Sequence, residues 1–471
     1  LQITKIEDAI MKKAIRLAIS LVLTAGLPLS PAFAEEAAGI WHGKLMGQLN
    51  ILIRIEKDAT GYKGVLESPD QAKFRAALDT VSATPDTLSF TVARVNGRYE
   101  GKWDETKKAW VGTWTQGAEL PLELKRIDEA QAAAFDHKRP QVDAAQAALG
   151  QYHVETVSLP AAVAGVTLAG TYSAPKGEGP FPAVVLIAGS GPNTRDEDVF
   201  GHKVFLVLAD ALNRAGIAVL RYDKRGVGAS TGAYAQATTA DFASDAEVAA
   251  RWLSARKDVK TIGLIGHSEG GIIAPIVANR DPAVKFIVML AGSGVRGDRI
   301  LLGQQESIGR ASGLPESVLS QAAAANRLIY DAIIADPDHA ATAARTVIAA
   351  QLPPGQTTDT PAIDAMIQQV TTPWMVHFLT YDPQPELKKL KTPVLAVIGE
   401  KDLQVPAAEN LPAISAALKG NPDATVSELP GLNHLFQTAV TGAPSEYAGI
   451  EETFAPSALK LISDWISART K

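Results

Sequence analysis

From Tyr152 onward, short apolar runs alternate with amphipathic stretches of helical spacing. Ala183 to Ala188 and the segment from Ile262 to Ile265 read as strands buried on both faces. Ala218 to Tyr222 and Phe286 to Leu290 read as further strands, with helices predicted over Val204 to Ala215, Phe242 to Ala255 and Ile272 to Asn279. His153 to Leu159 and Val166 to Ser173 precede this series as a hairpin. The alternation predicts a mostly parallel sheet covered by helices on both faces. It stops over 295–380, where Val318 to Ala335 and Ala340 to Leu352 have helical spacing and no strand pattern stands out. It resumes with Val394 to Ile398 and Thr425 to Leu429. A helical insertion at that point is expected to cap the strand ends, where ligands bind, the alternative being an excursion packed elsewhere.

Upstream, residues 39 to 127 follow the two-residue period of half-buried strands, clearest at Leu49 to Ile55 and Thr87 to Val92. The pieces Gly39-Ile40-Trp41, Gly101-Lys102-Trp103 and Gly112-Thr113-Trp114 imply strands crossing a small barrel or sandwich. The expected organisation is an all-β domain over 35–127, a partly helical linker over 128–150 and an α/β domain over 151–471 with its cap insertion at 295–380. The aromatics of the β domain read as core packing before they read as a ligand platform.

The first residues carry a different pattern. Met11, Lys12, Lys13 and Arg16 are followed by the apolar stretch Leu17 to Leu29 and by Ala32-Phe33-Ala34. This is the layout of a secretory signal peptide over 11–34, which makes an exported, periplasmic or secreted protein the expectation. The stretch is shorter than the roughly 20 residues of a membrane span, so no stable span is expected in the mature chain. The sequence contains no cysteine, which excludes disulfides and thiol catalysis. A formal net charge of -6 with no basic stripe gives no support to a nucleic-acid partner.

Chemistry concentrates at Gly266-His267-Ser268-Glu269-Gly270, between a buried strand and a helix expected to begin near Gly271. Gly-x-Ser-x-Gly at such a turn exposes a serine hydroxyl and leaves backbone N–H groups free at a helix start. A serine nucleophile requires a base, and the base requires a group that fixes its tautomer. Of the eight histidines, His434 follows the last predicted strand in a loop and is preferred, with His377 of the insertion as rival. Asp402 follows the strand Val394 to Ile398 and gives the chain order Ser, Asp, His; Glu400 is the fallback, and Asp382, before Pro383, reads as a hinge residue. The amide of Glu269 is the first oxyanion donor. The turn after Ala183 to Ala188 offers a second at Ser190, unless it is a plain tight turn. The glycines of Arg221 to Ser230 do not have dinucleotide-loop spacing and read as a structural loop that could shape the pocket.

With these residues in place, the chain from about 152 to 471 resembles the α/β-hydrolase fold serine esterases, in particular exported bacterial ones with an additional N-terminal domain. The resemblance is carried by IAGSGP (187–192), RYDKRGVGAS (221–230), GHSEGG (266–271), VIGEKDLQVP (397–406) and LNHLFQ (432–437). It implies Ser268 as nucleophile, His434 as base, Asp402 as orienting acid, Ser190 and Glu269 as oxyanion donors, and no metal or organic cofactor. Ala188 departs from the histidine that many relatives carry before the oxyanion glycine. Trp374, where the cap returns to the core, is implied either as a wall of the acyl pocket or as core. The implied activity is hydrolysis of short- to medium-chain esters, a small-molecule substrate class. A serine peptidase, or a thioesterase or acyltransferase, would use the same triad, and a non-catalytic cell-envelope binding protein is the alternative of a different class. A peptidase of the prolyl oligopeptidase group would carry a propeller, for which about 90 residues are too few at roughly 40 per blade.

Overall fold

The computed structural model describes residues 36–46, 49–70, 74–161, 163–353 and 355–471. The signal peptide expected over 11–34 lies outside them. Nine strands, β1 (Gly39–Leu45), β2 (Leu49–Asp58), β3 (Gly61–Ser68), β4 (Phe74–Ala77), β5 (Thr80–Ala83), β6 (Thr87–Val92), β7 (Gly97–Asp104), β8 (Ala109–Thr115) and β9 (Glu119–Ile127), form one antiparallel sheet. Its spatial order is β4-β3-β2-β1-β9-β8-β7-β6-β5. The two end strands are therefore consecutive in the chain, and the residues between them bind opposite ends of the sheet: Leu78 N–H donates to Gly64 O and Asp79 N–H to Thr91 O. That connection curls the sheet towards closure, and side chains fill its concave face. Trp41, Tyr99, Trp110 and Phe90 are buried there, with the Trp41 and Trp110 rings edge-on at 5.9 Å.

Helices Glu129–Ala133 and Pro140–Ala148 follow. Arg139, between them, is buried and donates to the carbonyls of Phe200, Ala448 and Ile450, while Gln141 binds the backbone of Thr453 and Phe454. This segment is thus fastened to the next domain by buried polar contacts.

The second sheet contains β10 (His153–Pro160), β11 (Thr167–Ala174), β12 (Phe181–Ile187), β15 (Ala218–Tyr222), β16 (Val259–His267), β17 (Val284–Leu290), β18 (Val394–Gly399) and β19 (Ala424–Leu429); a short hairpin of β13 (Asp198–Val199) and β14 (His202–Lys203) stands apart. The order is β10-β11-β15-β12-β16-β17-β18-β19, parallel from β15 onward, with β11 antiparallel to both of its neighbours. Successive residues of the central strands feed two cores. Val185 and Leu264 face one, Val184 and Ile265 the other, which is why these strands read as uninterrupted apolar runs. The chain leaves β12 for β15 on one side and reaches β16 on the other, so a crevice opens at their carboxyl ends.

The expected cap region holds helices Gly297–Ala311, Glu316–Ala335, Ala340–Gln351, Pro361–Val370 and Pro373–Thr380 around a small apolar core of its own, including Ile333, Ala344 and Leu379. Among the described residues, no helix is long and apolar enough to cross a membrane.

Candidate active site

The site is assembled from loops at the carboxyl ends of five parallel strands. Ser268 follows β16 with φ 53° and ψ -114°, a backbone geometry that an L-residue adopts only under constraint. The constraint is steric. A Cβ on Gly266 would stand 1.9 Å from Gly270 O, and one on Gly270 would stand 2.0 Å from Ile187 O. The helix begins at Glu269, two residues before its expected start. Gly270 and Gly271 look like turn residues in sequence; in the fold they belong to the helix, and their bare backbone lets it press against Ile187 and Gly292.

Asp402 follows β18 and His434 follows β19, both buried. His434 Nδ1 lies 2.8 Å from Asp402 Oδ2. The other carboxylate oxygen, Oδ1, accepts the amides of Gln404 and Val405, each at 2.8 Å. Both oxygens of Asp402 are therefore committed, and the imidazole is held by an acceptor on Nδ1, which leaves Nε2 as the nitrogen available for proton transfer. The rival His377 sits in helix Pro373–Thr380 on a separate groove with Pro337 and Thr380, and burial lowers its pKa. Glu400, the fallback acid, accepts the amide of Gly431, and Asp382 caps the amide of Gln384.

Ser190, Ser268, Glu269 and Trp374 all line one cavity of about 90 Å³, closed by Ile300, Leu301, Gln304 and Phe378 of the cap and by Gln404. The cap thus covers the serine. Trp374 is both wall and strut: its ring stacks on Phe378 at 5.0 Å and its Nε1 donates to Glu269 Oε1 at 2.6 Å.

Three residues of the site escaped the sequence reading. Lys224, inside the loop taken as structural, is buried and donates to Gly189 O at 2.6 Å and to Glu269 Oε2 at 2.9 Å. Glu197 is buried and accepts the amide of Gly189 at 2.6 Å. His267, beside the serine, turns away from it and sets its ring between Glu197 Oε1 at 3.0 Å and the carbonyl of His434 at 2.9 Å. Burial opposes a charge on this ring, but the Glu197 carboxylate outweighs it and raises the pKa. The only available signal was a set of ionisable residues beside apolar runs: Asp223-Lys224-Arg225 directly after β15 must pair if the loop is buried. They do, as Asp223 binds Arg195 and Arg225 binds Asp245. Among the described residues, no group of three or more His, Asp or Glu side chains could hold a metal ion.

Residues 202–438 match the family described as serine aminopeptidase, S33. Esterase EstD of Thermotoga maritima is 29% identical over 271 residues, which are 57% of this chain and 58% of that protein. The chain therefore spans less than two thirds of that relative's length. Two solved structures are similar to the chain at low identity. Est1E of Butyrivibrio proteoclasticus with bound ferulic acid is 16% identical, over 66% of this chain and 97% of that one, with a TM-score of 0.40. Proline iminopeptidase of Mycobacterium smegmatis is 16% identical, over 67% and 98%, also with a TM-score of 0.40. With an elbow serine directly after β16 and a family match over half of its length, the chain belongs to the serine aminopeptidase S33 family of α/β-hydrolase fold hydrolases.

Proposed function

We propose that the protein is a serine carboxylic ester hydrolase acting through an acyl-enzyme. Ser268 Oγ bonds to the ester carbonyl carbon as its proton passes to His434 Nε2, and the resulting oxyanion takes hydrogen bonds from the amides of Ser190 and Glu269. Collapse breaks the bond to the alcohol, which leaves with the proton from His434. Water then gives a proton to His434 and its oxygen to the acyl carbon, the acid departs, and the proton returns to Ser268.

The observation that favours an ester over an N-terminal peptide is the state of Glu269. It is the one carboxylate lining the cavity among the described residues, and an aminopeptidase needs a free carboxylate for the substrate's α-ammonium. Glu269 Oε1 already accepts from Thr239 and Trp374, and Oε2 from Lys224. The esterase name of the Thermotoga relative supports the same choice. A cavity of about 90 Å³ favours acyl groups of few carbons, since a dry cavity of roughly 150 Å³ is what benzene occupies.

The test is a series of p-nitrophenyl esters of increasing chain length beside aminoacyl anilides, with wild type and Ser268→Ala. Ester turnover that falls with chain length and vanishes in the variant is expected; turnover of anilides alone overturns the reading. We also propose export, on the strength of residues 11–34. A mature N-terminus at Glu35 in protein recovered from the cell envelope or medium is the result expected, and an intact Met11 in cytosolic protein would refute it.

A further inference from the structure

We infer that Lys224 is a positioning residue that aims both oxyanion donors, an inference that rests on the ester-hydrolase reading of the site. Its ammonium donates to Gly189 O at 2.6 Å. That oxygen and the N–H of Ser190 belong to one peptide unit, which is trans, so they point in opposite directions. Holding the carbonyl towards Lys224 turns the Ser190 N–H towards the cavity that contains Ser268. A cation on the carbonyl also polarises the peptide and makes its N–H a stronger donor. The same ammonium donates to Glu269 Oε2 at 2.9 Å, and the amide of Glu269 is the other donor. One buried charge therefore fixes the spacing between two loops from different strand ends. The ammonium also lies over an aromatic face, with Nζ 4.3 Å from the Phe242 ring centroid.

Asn193 reinforces the same peptide. Its Nδ2 donates to Gly189 O at 2.9 Å and to Ser190 O at 2.8 Å from a half-exposed position. The departure at Ala188 fits this arrangement, because the loop is held through the Gly189 carbonyl by both Lys224 and Asn193.

The experiment compares wild type with Lys224→Met, the charge-neutral pair Lys224→Met/Glu269→Gln, and Asn193→Ala. The readouts are kcat and KM on p-nitrophenyl acetate and affinity for a methyl trifluoromethyl ketone. The ketone adds Ser268 Oγ to its carbonyl carbon and places an oxyanion in the hole. The double variant leaves no buried charge unpaired, so it separates aiming from neutralising Glu269. Expected is a fall in kcat of about 10²-fold in both Lys224 variants with KM within about threefold of wild type, matched by an equal loss of ketone affinity. Asn193→Ala is expected to lose about five- to tenfold in the same two quantities. It disturbs no buried charge, so it decides the matter even if the Lys224 variants do not fold. Recovery of wild-type kcat in the double variant overturns the inference, as does unchanged kcat and ketone affinity in Asn193→Ala. A wild type that turns over no ester instead sinks the ester-hydrolase reading, and this inference with it.

Discussion

The ring of His267 and the backbone carbonyl of His434 are 2.9 Å apart, so the residue next to Ser268 grips the loop that carries the proposed base. A carbonyl accepts only, and the other ring nitrogen faces the Glu197 carboxylate, so both nitrogens of His267 meet acceptors. This favours the doubly protonated ring, which agrees with its raised pKa.

Glu197→Gln should therefore destabilise the protein in a pH-dependent way. A histidine whose folded pKa is raised above its ordinary 6.5 holds its proton more tightly folded than unfolded. The stability it contributes is complete below about pH 6.5 and is lost as pH rises through the folded value. Removing the partner carboxylate should cost about 3 kcal/mol at pH 6, as for a broken buried pair, and clearly less at pH 9. Urea unfolding of both proteins at the two pH values measures this; a difference that is constant or grows with pH contradicts it.

Asp402→Asn should keep the fold and lower kcat by about 10⁴-fold. The orientation of the new amide is dictated, because the amides of Gln404 and Val405 donate to Oδ1 and demand an oxygen there. The NH₂ group must then face His434 Nδ1, which becomes an acceptor and moves the ring proton to Nε2. A base protonated on that nitrogen cannot take the serine proton. Steady-state kinetics with a thermal melt test this, and turnover near wild type would remove Asp402 from its proposed role.

The elements of the sheet were legible because each central strand is apolar on both faces; the proposed Ser268 and Asp402 follow such strands, whereas the proposed His434 follows the half-exposed edge strand β19. Boundaries were less so. The helix predicted from Phe242 begins at Thr239, because the capping box of Thr238 and Asp241 adds a turn that carries no apolar signal before Phe242. The supporting residues were illegible for a different reason. Glu197 and Lys224 lie far from Ser268 in the chain, and only the strand order, which places β15 and β16 on either side of β12, brings Lys224 to Glu269. His267 turns away from the cleft, and what it reaches, the His434 carbonyl, depends on a loop 167 residues away in the chain.

Ser268→Gly should be more stable than Ser268→Ala by on the order of 1 kcal/mol, since a side chain at φ 53° and ψ -114° carries strain that glycine does not. Both variants lack the hydroxyl, so the comparison isolates backbone strain from the loss of Oγ. Equal melting temperatures would mean that the elbow is relaxed and that its geometry stores no free energy. Gly266→Ala should instead fail to reach the native state, because its Cβ meets a backbone oxygen that no rotamer change can move.

Leu301→Ala should lengthen the preferred acyl chain. Leu301 lies on cap helix Gly297–Ala311 and lines the same cavity as Ser268, and it is partly exposed, so truncation removes cavity wall without emptying a core position. The lost packing is expected to cost about 1–2 kcal/mol, below the 2–5 kcal/mol typical of a fully buried leucine. The change in rate should be confined to chain length: kcat/KM for the shortest ester stays within about threefold of wild type, because nothing that touches the reacting carbonyl has moved, while longer esters gain about tenfold from each apolar group newly received. The chain-length profile of p-nitrophenyl esters reads this out directly. A uniform loss at every length would show that Leu301 holds the cap shut and does not set the depth of the pocket. In that case Trp374→Phe, which breaks the 2.6 Å bond from Nε1 to Glu269 while keeping the stack on Phe378, should produce the same uniform loss.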